Sequence, residues 1–109
     1  TEGRTYTAIH LLKEVDDPEV GPVSWYVAAE RRDDTEPAYA FDGIRVFIWS
    51  LAKHQYETTL RLRNLRGRYP LELTGDAENP GFRFQVLDRE GNLTVREFVM
   101  RGTLPREVR

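Results

Sequence analysis

Residues 42–53 read DGIRVFIWSLAK, and the fold turns on whether they form a strand or a helix. For a helix, Ile44, Phe47, Ile48, Leu51 and Ala52 share one face, with Asp42 placed to cap it. Against it, Val46 and Trp49 fall off that face. The run Ile-Arg-Val-Phe-Ile-Trp is also dominated by β-branched and aromatic side chains, which favour strands. A central strand buried on both sides has this near-continuous apolar character. The segment is read as a strand; the alternative is an α+β domain with one helix around residues 42–54.

Outward from this segment, period-two patterning dominates. TYTAIHLL (5–12) and SWYVAAER (24–31) read as strands, separated by the loop DDPEVGP (16–22) and followed by the loop RDDTEP (32–37). In residues 56–63, Tyr56, Thr58, Leu60 and Leu62 alternate with Glu57, Thr59, Arg61 and Arg63, so strict alternation puts the two arginines on one face. After a turn at Gly67, YPLELT (69–74) resumes a strand, with Pro70 favouring its start or a sheet edge. FRFQVLD (82–88), the turn REGN (89–92) and LTVREFVMR (93–101) form the clearest hairpin, with Gly91 supplying a positive φ. The tail GTLPREVR (102–109) is read as frayed or docked by context. The sum is a mainly β, single-domain antiparallel sandwich or open barrel of six to seven strands. It spans residues 1–109, and the absence of an opening Met fits either removal of Met or excision from a longer chain.

Apolar residues make up 39% of the chain, enough for one core at a length of 109 residues. The chain has no cysteine, so disulfides, thiolate metal sites and cysteine nucleophiles are excluded together. That suits a reducing cytoplasm, the expected location. No apolar run approaches the roughly 20 residues of a membrane helix, and no membrane partner is expected. Asn92-Leu93-Thr94 matches a glycosylation sequon and is read as coincidence.

The basic residues are lopsided toward arginine, with Lys13 and Lys53 the only lysines. Net charge is −2, but residues 1–44 carry −6 and residues 45–109 carry +4, which points to a dipolar surface.

Catalytic and ligand motifs are missing. His10 and His54 are the only histidines and lack zinc-site spacing. Asp16, Asp17 and Glu19 lack the pattern of a calcium loop and read as solvated. Ser24 and Ser50 sit in no nucleophile elbow, and no phosphate-binding glycine pattern occurs. No cofactor or metal is assigned, and the chain is read as non-catalytic.

The arginines are the remaining feature. Arg61 and Arg63 project from a sheet face, with Arg66 and Arg68 around the turn. One reading is a solvated face in which Arg61, Arg63 and Arg83 pair with Glu57, Glu72 and Glu97 across strands. Phe82 and Phe84 alternate with Arg83 and so belong to the core. The functional reading is a cytoplasmic module that docks on a larger protein as adaptor or regulator, held by Arg61, Arg63, Arg66, Arg68, Trp25 and Trp49. An accessory factor of phage or mobile-element origin, acting on transcription or replication machinery, suits so small a motif-free domain. The alternatives are a single-stranded DNA or RNA binder using an arginine-rich sheet face, and a small-ligand barrel or minor enzyme.

Overall fold

The computed structural model describes residues 3–33 and 39–109. Eight strands occur in chain order: β1 (Arg4–Asp17), β2 (Gly21–Arg32), β3 (Gly43–Ser50), β4 (Gln55–Leu62), β5 (Gly67–Gly75), β6 (Pro80–Leu87), β7 (Leu93–Arg101) and β8 (Leu104–Val108). They form two four-stranded antiparallel sheets, β1-β2-β3-β4 and β5-β6-β7-β8, each a simple meander. The mainly β class therefore holds. The expected six to seven strands in a single sandwich or barrel give way to eight in two sheets. No helix occurs among the described residues, so the α+β alternative falls. None is thus long and apolar enough to cross a membrane.

The deciding segment becomes β3, an interior strand between β2 and β4. Ile44, Val46 and Ile48 point into the core, while Arg45 and Phe47 are half-buried on the other face. Phe47 and Arg45 sit half-covered by each other and by Tyr6 on the outward face, and an aromatic residue there is what erased a clean two-residue period.

The extra strand is β8. Its residues carry little hydrophobic signal of their own, but Leu104–Val108 turns back at Gly102 (φ 62°) and pairs with β7, Pro105 opposite Met100 and Glu107 opposite Phe98. The β6–β7 hairpin forms as expected. Gly91 has φ 83°, and Asp88 Oδ1 accepts from the Glu90 and Asn92 amides. Pro70 lies on β5, an edge strand, where the ladder to β6 is irregular between Arg68 and Glu72. Of the RDDTEP loop, Arg32 closes β2, Asp33 lies in a turn, and residues 34–37 fall outside the described residues.

The buried faces of both sheets meet in one hydrophobic cluster. Trp25, Val27, Ala29, Ile44, Val46 and Ile48 come from the first sheet; Leu71, Phe82, Phe84, Val86, Phe98 and Met100 come from the second. Phe82, Phe84 and Phe98 stack as a ladder of near-parallel rings. Phe41 joins the sheets: its carbonyl accepts from the Gly67 amide at 2.9 Å, and its ring meets Phe84 edge-on. A Cβ on Gly67 would stand 2.2 Å from the Phe41 ring, so only glycine permits this approach. The molecule is a slab of 48 × 32 × 17 Å, and each sheet turns one face outward.

Candidate functional site

The two outward faces differ in chemistry. On the second sheet, Arg83 lies across from Glu72 and Glu97 and pairs with Glu72 at 3.3 Å, both side chains about half in water. Gln85 stands between Arg68 and Val95. Charged residues at the middle of this face thus pair across strands, as the cross-strand reading of Arg83 requires, beside exposed Val95, Leu93 and Val108.

The outward face of the first sheet is aromatic and aliphatic. Its register aligns Leu11, Tyr26, Phe47 and Thr58 in one row and Ile9, Ala28, Arg45 and Arg61 in the next, with Trp49 opposite Tyr56 at one end. Tyr6 stands edge-on to Phe47, and Tyr56 contacts both Tyr26 and Trp49. Tyr6 (39%), Ile9 (54%), Leu11 (48%) and Tyr56 (45%) remain open to solvent, forming one contiguous patch rather than scattered apolar residues. Arg45 lies over the Phe47 ring at 4.6 Å and donates to Thr58 at 2.6 Å.

Beside this patch sits a buried carboxylate. Glu30 is fully buried, with Oε1 3.1 Å from Arg4 Nε and 3.7 Å from Arg61 Nη2. Asp42 is a second anion against Arg4 and accepts from the Arg32 amide. Gly43 makes the cluster possible. It faces Glu30 on β3, and a Cβ there would stand 3.0 Å from Arg4 Nη2 and 3.1 Å from Glu30 Cγ. Without a side chain at position 43, the β1 and β4 arginines close over the middle of the sheet.

The six residues read from the sequence as partner-binding are dispersed. Arg61 is tied to Glu30, not to Glu57, which pairs with Lys53 at 3.4 Å. Arg63 is exposed and lines, with Arg4, Arg32, Arg61 and Asn64, a depression of about 280 Å3. Arg66 donates to the Asp88 carbonyl in a separate groove, and Arg68 belongs to the second sheet. Trp25 is 7% exposed and belongs to the core. Trp49 is half-buried, its indole N–H donated to Asp17 at 2.7 Å. Arg61 and Arg63 are brought together; the other four are not brought to them.

Nothing in the sequence pattern marks Tyr6, Ile9, Leu11, Phe47 and Tyr56 as one surface. The obstacle was backbone register. Bulges between Tyr6 and Ala8, between Leu11 and Lys13, and at Thr59 each shift the alternation by one residue. Thr59 is the decisive one: Leu60 and Leu62 stay inward, while Tyr56 and Thr58 move to the same outward face as Arg61.

Asp17 also departs from expectation. Its carboxylate is buried, accepting from Trp49 Nε1, from His54 Nδ1 at 2.7 Å, and from the Glu19 and Val20 amides. His54 Nε2 lies 3.3 Å from Glu19. The Trp49 hydrogen bond, with help from the backbone amides and His54, outweighs burial and holds Asp17 far below the usual carboxylate range. A depressed folded-state pKa contributes stability above the unfolded value near 3.8, lost as pH falls through the folded value. The stability gap between wild type and Asp17→Asn should thus be constant from neutral pH to about 5 and close below about 4. Urea denaturation at stepped pH reads this directly. A gap independent of pH would place Asp17 outside the hydrogen-bonded cluster. His10 lies on β1 opposite Val27, away from these groups, and no cluster of three or more metal-ligating side chains is found among the described residues.

No protein-family model, curated protein or solved structure matches this chain.

Proposed function

We propose that this chain is a non-catalytic binding module that docks on a larger protein through the outward face of β1–β4, as an adaptor or regulator. The observation that carries the reading is the contiguous exposed patch of Tyr6, Ile9, Leu11 and Tyr56, backed by Tyr26 and Phe47, on the outward face of the first sheet. Protein interfaces enrich Tyr, Trp, Phe and Arg at their centres. The arginines here are braced before any partner arrives, Arg61 by Glu30 and Arg45 by Phe47 and Thr58. Preorganisation of that kind lowers the entropy lost on docking.

Aromatic rings on an open sheet also suit single-stranded nucleic acid. Weighing against that reading, Arg4 and Arg61 are already neutralised by Glu30 and Asp42. Neutralised guanidiniums release few counterions on meeting phosphate.

Capture from an extract of source cells, with and without nuclease, tests the reading when run on three proteins: wild type, Ile9→Glu/Leu11→Glu, and Arg83→Glu. All three substituted side chains are about half exposed, so the fold should survive. Wild type and Arg83→Glu should hold the same nuclease-resistant protein, and the double variant should bind it at least roughly 30-fold more weakly, as for loss of a 2 kcal/mol hot spot. Equal binding by the double variant would remove the face from consideration, and loss of all material with nuclease would favour the nucleic-acid reading.

A further inference from the structure

At the end of the β1–β4 face opposite Trp49 and Tyr56 lies the depression of about 280 Å3 lined by Arg4, Arg32, Asp42, Arg61, Arg63 and Asn64. It adjoins the apolar patch. Arg61 shares a row with Ile9, and Tyr6 follows Arg4 on β1 and stands opposite Glu30. Asp42 is the one carboxylate in this lining among the described residues, and both its oxygens are taken: one accepts from Arg4, the other from the Arg32 amide. Glu30, beneath Arg4 and Arg61, is fully buried and cannot meet a ligand. Arg4 is therefore held between two anions. Arg61 is held more loosely. Its Nη2 stands 3.7 Å from Glu30, too far for a hydrogen bond, and its terminal nitrogens are neither buried nor hydrogen-bonded. Arg63 is exposed and makes no side-chain hydrogen bond or ion pair among the described residues. Even with Arg32 left out of the count, Arg4, Arg61 and Arg63 face only Glu30 and Asp42, and the surplus positive charge sits on Arg63. Asn64 adds a neutral amide donor.

We propose that this depression receives a carboxylate side chain of the docking partner, held by Arg61 and Arg63, while an apolar neighbour of that side chain lies on Tyr6 and Ile9. This contact rests on the docking reading above and supplies the partner's chemistry. A planar guanidinium presents paired donors that match the two oxygens of a carboxylate. One surplus charge suits a single such group and not the successive phosphates of a strand.

The first measurement needs no partner. The intact chain is labelled with nitrogen-15 at arginine, and propionate, propionamide and methyl phosphate are titrated in turn. Propionate is a glutamate side chain without its backbone, and propionamide is its neutral counterpart. The Nε–Hε resonance of Arg63, assigned by Arg63→Gln, should shift saturably with propionate, and propionamide should bind at least roughly tenfold more weakly, as for loss of one charge-assisted hydrogen bond. Arg63→Gln should weaken propionate by a similar factor. Absence of a saturable shift, equal binding of propionamide, or methyl phosphate binding roughly tenfold tighter than propionate overturns the proposal, the last in favour of a phosphate ester. The second measurement is capture of the partner. Arg63→Glu should weaken it at least roughly tenfold, while Arg83→Glu, the same charge change on the other sheet, should stay within about twofold of wild type. Undiminished capture by Arg63→Glu, with Ile9→Glu/Leu11→Glu deficient, overturns the carboxylate contact and leaves the docking face standing. Undiminished capture by every variant removes both.

Discussion

Phe84→Ala is expected to destabilise the fold by about 3–5 kcal/mol, the cost of truncating a fully buried aromatic ring. In a domain of this size that lowers Tm by roughly 10 °C or more. Phe84 is 1% exposed, lies parallel to Phe82 and Phe98 with centroids 6.3 and 6.2 Å away, and meets Phe41 edge-on at 5.9 Å. Phe41 belongs to the segment whose backbone bonds to Gly67 at the start of β5. Removing Phe84 therefore opens a void where the two sheets are joined, with few mobile groups able to refill it. Arg83→Ala, one residue away on the opposite face, should change stability by no more than about 0.5–1 kcal/mol, since its pair with Glu72 is half in water. Chemical denaturation of the two variants side by side is the check. Equal costs would mean that β6 does not present Phe84 inward.

Glu30→Ala should cost about 3 kcal/mol, the low end for breaking a buried ion pair by removing one partner. The penalty comes from the guanidiniums left behind. Arg4 and Arg61 have side chains 19% and 29% exposed and were placed around a carboxylate that is fully buried. The cost stays at the low end because both arginines keep some contact with water and Arg4 retains Asp42. Glu72→Ala is the matched control: it removes an exposed partner of an arginine and should cost at most about 1 kcal/mol. A Glu30→Ala variant as stable as Glu72→Ala would show that the buried carboxylate contributes nothing net.

The fold class was legible because strand composition carries it. Ile44, Val46 and Ile48 are β-branched, and their spacing survives even though Phe47 and Arg45 are covered on the other side. The β6–β7 hairpin was legible because Gly91 and the alternating phenylalanines fix both turn and face. Strand β8 was not, since Leu104–Val108 is held by pairing with β7 more than by its own residues. The docking face was obscured for a related reason. A bulge is a property of the sheet, and nothing in Glu57-Thr58-Thr59 announces that one residue will be left unpaired. Glu30 was equally hidden. Its partners Arg4 and Arg61 lie on strands far from it in sequence, and the glycine that lets them close over β3 looks like any turn residue.

In the proposed function, the outward face of β1–β4 meets the partner. Hydroxyl-radical footprinting of tyrosine side chains in the captured complex tests it most directly, because three tyrosines start from similar exposure. Tyr6 and Tyr56 lie on the proposed face at 39% and 45%, and Tyr69 lies on β5 of the other sheet at 44%. Tyr6 and Tyr56 should become protected in the complex while Tyr69 reacts at its free rate. Protection of Tyr69 with Tyr6 and Tyr56 unchanged would contradict it and move the interface to the second sheet.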